Sequence, residues 1–83
     1  TGYDYATMRI SDSVVEQAEQ CFANVERALR EAGSGMRDVV RVLYILPNRD
    51  DFPACWPVCA KWLGDVRPAA TMFEARLMND AMK

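Results

Sequence analysis

The stretch Val39-Val40-Arg41-Val42-Leu43-Tyr44-Ile45-Leu46 decides how this chain is read. Its β-branched and aromatic residues suit a pleated surface. Gly35 before it and Pro47-Asn48 after it bound a segment of strand length rather than helix length. Only Arg41 interrupts the apolar run, so the pattern predicts a strand buried on both faces, with Arg41 finding a carboxylate or reaching solvent at a sheet edge. Helical patterns lie on either side, and helices flanking such a strand must pack on its sheet.

Toward the N-terminus, Ser13 and Glu16 have the spacing of a capping box, in which hydroxyl and carboxylate each satisfy a backbone N–H left unpaired by the first helical turn. From there Val14, Val15, Ala18, Cys21, Phe22, Val25, Ala28, Leu29 and Ala32 recur at three and four, the stripe of an amphipathic helix. Gln17, Glu19, Gln20, Asn24 and Glu26 are assigned to its solvated side. Gly33 supplies the left-handed residue that ends it. Residues 1–12, largely polar with Gly2, Tyr3 and Tyr5, read as a loop, with possible strand character at its start.

Toward the C-terminus, Pro47 has no N–H to give a ladder and stops the strand. Asp50 or Asp51 caps a second helix with Pro53 in its first turn, where a missing donor costs little. Its expected apolar face is Phe52, Cys55, Trp56, Cys59, Trp62 and Leu63, and Gly64 is expected to close it. Pro57 lies deep enough inside to predict a kink or a late start. Arg67-Pro68 leads into a strand over residues 69–77, with Thr71, Phe73, Ala75 and Leu77 on an apolar face to be covered by helices. Ala70, Met72, Glu74 and Arg76 form a mixed face turned to water or a partner subunit. A turn follows at Met78 to Ala81, and Met82-Lys83 has the look of a returning strand.

The 83 residues, 51% hydrophobic and 27% charged, describe one domain spanning residues 1–83 with a core small for its surface, which oligomerisation would help. A formal net charge of −2, with Lys and Arg interleaved among Asp and Glu, argues against nucleic acid as a partner. No apolar run is long enough to span a bilayer, so no membrane partner is expected and a cytoplasmic location is the default. The three cysteines do not form a disulfide framework, and Cys55 and Cys59, one helical turn apart with no histidine anywhere in the chain, read as buried thiols rather than a metal site. The same lack of histidine removes His-based catalytic triads. A start at Thr1 and a stop at Lys83 within an extended segment lead us to expect a piece of a longer chain.

Several local words, taken in order, resemble the YjgF/Rid family, also called the endoribonuclease L-PSP family. They are Asn24-Val25-Glu26, Ala28-Leu29, Ala32-Gly33, Asp38-Val39-Val40-Arg41-Val42, Asp51-Phe52, Arg67-Pro68-Ala69 and Ala81-Met82-Lys83. The resemblance implies a chorismate-mutase-like α+β fold, a β-sheet with two helices packed on one face. It also implies a homotrimer whose sheets line a central barrel, with clefts between subunits for small carboxylate-bearing molecules. Strands and site residues of the family are expected before Thr1 and after Lys83.

Well-known members of the family are imine and enamine deaminases that clamp a substrate carboxylate with an Arg directly after a Pro-Ala pair. A guanidinium suits that role because it offers two parallel donors to two oxygens. Here the residue after Pro68-Ala69 is Ala70. Loss of such a contact weakens carboxylate binding by roughly ten- to a hundredfold. Trp56 and Met72 make the neighbouring cleft positions bulkier and more apolar, and Arg67 or Arg76 is the available substitute cation. The expected ligand-binding residues are therefore Trp56, Arg67, Ala70 and Met72, with no catalytic residue assigned and no cofactor or metal expected. Two functions follow: a hydrolase of imine-type metabolites with an altered substrate, or a non-catalytic trimer that binds small molecules. Nuclease action has no support in the residues.

Overall fold

A computed structural model describes all of residues 1–83. A short antiparallel hairpin, β1 (Tyr3–Asp4) and β2 (Arg9–Ile10), leads into helix α1 (Val14–Glu31). Strand β3 (Arg41–Leu46), helix α2 (Phe52–Leu63) and strand β4 (Ala69–Glu74) follow. β3 and β4 pair in parallel, Arg41 opposite Ala69 through Leu46 opposite Glu74, so α2 is the crossover that parallel strands require. The fold is α+β, with both helices on one face of the β3–β4 sheet.

Helix α1 forms where its caps place it. Ser13 Oγ accepts from the Glu16 N–H, but the Glu16 carboxylate takes the Ser11 hydroxyl instead of the Ser13 N–H, which bonds Ser11 Oγ at 3.0 Å. Half of the expected capping box is thus relayed through Ser11. At the other end Ser34 N–H bonds Leu29 O at 2.8 Å and Gly33 N–H bonds Arg30 O at 3.0 Å, a Schellman closure with Gly33 at φ +80°.

The core is a cluster of Phe22 from α1 with Val58, Cys59 and Leu63 from α2, and Val42 and Tyr44 of β3 pack against it. Phe22 stacks on Trp62 with ring centres 5.8 Å apart. This packing corrects the expectation of a strand buried on both faces. Exposure alternates along β3: Val42 and Tyr44 pack under the helices and Leu46 is partly buried, while Leu43 and Ile45 face outward, 46% and 40% exposed. β3 also begins two residues late, because a 3₁₀ turn at Met36–Asp38, held by the Asp38 carboxylate on the Ser34 hydroxyl and the Gly35 N–H, occupies the approach.

In a sheet, residues opposite one another point to the same side. The register therefore puts Ala70, Met72 and Glu74 on the helix side with Val42, Tyr44 and Leu46, and puts Thr71 and Phe73 on the open side with Leu43 and Ile45. This reverses the expected facing of the last strand, which also ends at Glu74 rather than continuing to residue 77. Met82-Lys83 forms no strand; the Lys83 N–H bonds Gln17 Oε1 at 2.8 Å.

Two polar residues assigned to solvent point inward. Gln17 is 3% exposed, and its Nε2 donates to Ser11 O and Ala81 O at 2.7 and 2.8 Å. Gly2 abuts it so closely that a Cβ there would lie 2.7 Å from Gln17 Cβ. Asn24 Nδ2 donates to Thr1 O and Tyr3 O, fastening the hairpin to α1. The first twelve residues are thus a hairpin pinned to a helix rather than a loop. Buried backbone groups need partners, and an amide side chain, with donors and an acceptor, can serve two chain segments at once.

Candidate functional site

Helix α2 does not start late. A 3₁₀ turn at Arg49–Asp51, capped by Asn48 Oδ1 on the Asp50 N–H at 3.0 Å, feeds it, and Asp51, at the cap position, makes no side-chain cap bond. The helix then runs through Pro57. Pro57 has no N–H to give the carbonyl of Pro53, and both residues are exposed. Cys55, Val58, Cys59 and Leu63 face the core, which leaves Trp56 outward at 60% exposure, against expectation. Phe52 and Trp56 meet in a T, with ring centres 5.8 Å apart, which fixes one flank.

Beyond α2 the chain does not turn at Gly64, whose φ of −58° continues the helix. Gly64 is demanded by space instead, since a Cβ there would lie 2.4 Å from Ala60 O. The reversal comes at Arg67, with φ +52°. Its N–H bonds Leu63 O at 3.0 Å, and two residues on the Ala69 N–H bonds Val40 O and starts the ladder. A left-handed conformation is uncommon for a residue other than Gly, Asn or Asp, and it costs about 1–3 kcal/mol.

These turns shape an open depression of about 300 Å³ with Trp56 and Arg67 on its walls, Pro68 beside them, and Cys59 and Leu63 as its floor. Of the four expected ligand-binding residues the structure brings two together here. Ala70 and Met72 do not line it; they lie along the helix side of β4. The alternative cation Arg76 is 90% exposed and 4.0 Å from Asp80, away from the depression. Arg67 has no carboxylate within ion-pair distance. Cys59, Leu63 and Gly64 were not expected as lining; the sequence placed Cys59 and Leu63 only on the apolar face of the helix and Gly64 only at its end.

The thiols are not poised for nucleophilic chemistry. Burial pushes both Cys55 and Cys59 above the usual thiol range, so neither presents a ready thiolate. Burial, with the Cys59 thiol adjacent, pushes the Tyr44 hydroxyl up to about 12. A broader, more polar groove of about 960 Å³ between the C-terminal ends of the helices is balanced in charge, Arg30 pairing with Glu26 and Lys61 with Glu19 at its border. The Lys61 ammonium and Trp62 N–H bond the Glu19 carboxylate and hold it below the usual carboxylate range.

The sequence profile of the family described as Endoribonuclease L-PSP matches residues 1–83. The chain belongs to the YjgF/Rid (endoribonuclease L-PSP) family. It is 38% identical over 60 residues to a protein named mmf1, mitochondrial, of Schizosaccharomyces pombe, covering 72% of this chain and 37% of that protein. It is 30% identical over 73 residues to a 2-iminobutanoate/2-iminopropanoate deaminase of Dermatophagoides farinae, covering 87% of this chain and 57% of that enzyme. Among solved structures, RidA from an Antarctic Psychrobacter superposes with a TM-score of 0.87 at 28% identity, covering 95% of this chain and 64% of that one. The chain thus spans about a third to two thirds of the length of these YjgF/Rid relatives. No helix in it is long and apolar enough to cross a membrane.

Proposed function

We propose that this YjgF/Rid chain is a subunit of a homotrimer that binds small molecules in clefts between protomers, with hydrolysis of the standard imine 2-iminobutanoate weak or lost. One observation carries the reading: the helix-side row of β4, Ala70, Met72 and Glu74, holds no cation, and its only charge is the carboxylate that accepts the Arg49 N–H at 2.8 Å. Without a guanidinium at position 70 a substrate carboxylate has no bidentate partner there. The open apolar face of Leu43, Ile45 and Phe73 supports the trimer, because a small domain gains most by covering such a surface with its own copies. A cytoplasmic location belongs to the same proposal.

A hydrolase for a different imine-type substrate is the second reading, favoured by the unpaired guanidinium of Arg67. For the full-length protein we expect sedimentation as a trimer and little turnover of 2-iminobutanoate. Ala70→Arg should raise turnover, and Ala70→Arg with Trp56→Asn should raise it further than the sum of the single changes if both positions share one cleft. Rapid turnover by the unaltered protein, or a stable monomer, would overturn the proposal.

A further inference from the structure

The four site residues expected from sequence divide in the folded chain, and the depression that holds two of them has a character of its own. Its floor is apolar, Cys59 and Leu63, each about 6% exposed. Its walls are an indole that leaves 60% of its surface to solvent and a guanidinium with no carboxylate partner. Arg67 occupies a left-handed turn position that Gly or Asn would fill with less strain. The volume, about 300 Å³, lies at the lower end of the range of small-molecule sites, roughly 300–1,000 Å³.

We propose that this depression binds a one-ring aromatic carboxylate, its ring against Trp56 and its carboxylate on Arg67. The inference rests on the small-molecule reading above and names the ligand class. Trp56, in T-shaped contact with Phe52, offers a rigid π-system for an aromatic ring. Arg67 offers the fork of parallel donors that a carboxylate matches. The anion site thus sits on the turn before β4, three residues ahead of Ala70, and its apolar floor selects a larger acid than a four-carbon imino acid.

The test is calorimetric titration of the full-length protein with phenylacetate, its neutral isostere phenylacetamide, and ringless acetate. Phenylacetate should bind saturably, and the other two about tenfold or more weakly. Arg67→Asn, which tolerates the left-handed backbone, should bring phenylacetate down to the level of phenylacetamide. Trp56→Leu should bring it down to the level of acetate. Both side chains are exposed, so thermal unfolding should be unchanged in Trp56→Leu and unchanged or raised in Arg67→Asn, which relieves the left-handed strain. Absence of saturable phenylacetate binding, or an affinity that neither variant alters, would overturn the inference. The trimer and the weak turnover of 2-iminobutanoate are measured separately, so either proposal can fail while the other stands.

Discussion

The two faces of the β3–β4 sheet both carry apolar side chains, and along β3 their fates are opposite, whereas all of β4 is exposed. On one side Val42 and Tyr44 meet Phe22, Val58, Cys59 and Leu63 and are sheltered. On the other Leu43, Ile45 and Phe73 are equally apolar and remain 40–46% exposed. Hydrophobicity says that a side chain gains by leaving water, about 25 cal/mol per Å² of apolar surface, but not which surface will cover it. The helices of the same chain are sufficient for one face only. Both edges of the two-stranded sheet are also unpaired, so the sheet is open at its sides as well as on its outer face.

The comparison is broken most directly by making the same change on each side. Leu63→Ala, on the covered side, should cost about 2–5 kcal/mol, read from denaturant midpoints at an unchanged slope. Leu43→Ala should cost an isolated protomer no more than about 0.5 kcal/mol. Leu43→Asp should leave the protomer's helical signal intact while lowering the sedimentation coefficient of the proposed trimer. Equal losses of stability from the two alanine variants would show that the faces are equally buried in the working protein.

The polar part of the covered side predicts a smaller effect. Gln17→Leu keeps the volume but leaves Ser11 O, Ala81 O and the Lys83 N–H without their partner, a loss of about 1–3 kcal/mol. Faster hydrogen exchange at the Lys83 amide should accompany it, and an unchanged exchange rate there would show that the bond is not kept in solution.

The smallest effect at neutral pH tests how dry the covered side is. The Tyr44 hydroxyl is raised to about 12 from an ordinary 10.0 by burial, next to Cys59. A folded value above the unfolded one means that the fold favours the protonated phenol, so this contribution is intact below pH 10 and is lost as pH climbs from 10 toward 12. Tyr44→Phe should flatten the loss of stability across that window, followed by unfolding at each pH. At pH 7 it should change stability by about 1 kcal/mol or less. An unaltered alkaline slope would place water around the hydroxyl.

Local signals settled much of this protein without help from the fold. The Ser13 cap, the Schellman glycine at Gly33, the placement of Pro53 in a first helical turn and the strand character of residues 41–46 act over a handful of residues, so they are written into the order of the chain. The ordered family words reach further only because they summarise what a fold has already selected; they brought the α+β architecture and the positions worth watching. What the sequence could not settle was orientation. Helix α2 is apolar around most of its circumference, so periodicity alone allowed Trp56 as readily as Val58 to face the core. The parallel register, not the alternation along β4, decided that Ala70 and Met72 lie on the helix side and Phe73 on the open side. Gln17 and Asn24 look like solvated residues until chain ends far away in sequence arrive to use their amides. Trp56 and Arg67 likewise line one depression only because the chain turns back beyond α2. Side-chain type is a property of a position, whereas burial and juxtaposition belong to pairs of positions distant along the chain, and only tertiary packing chooses those pairs.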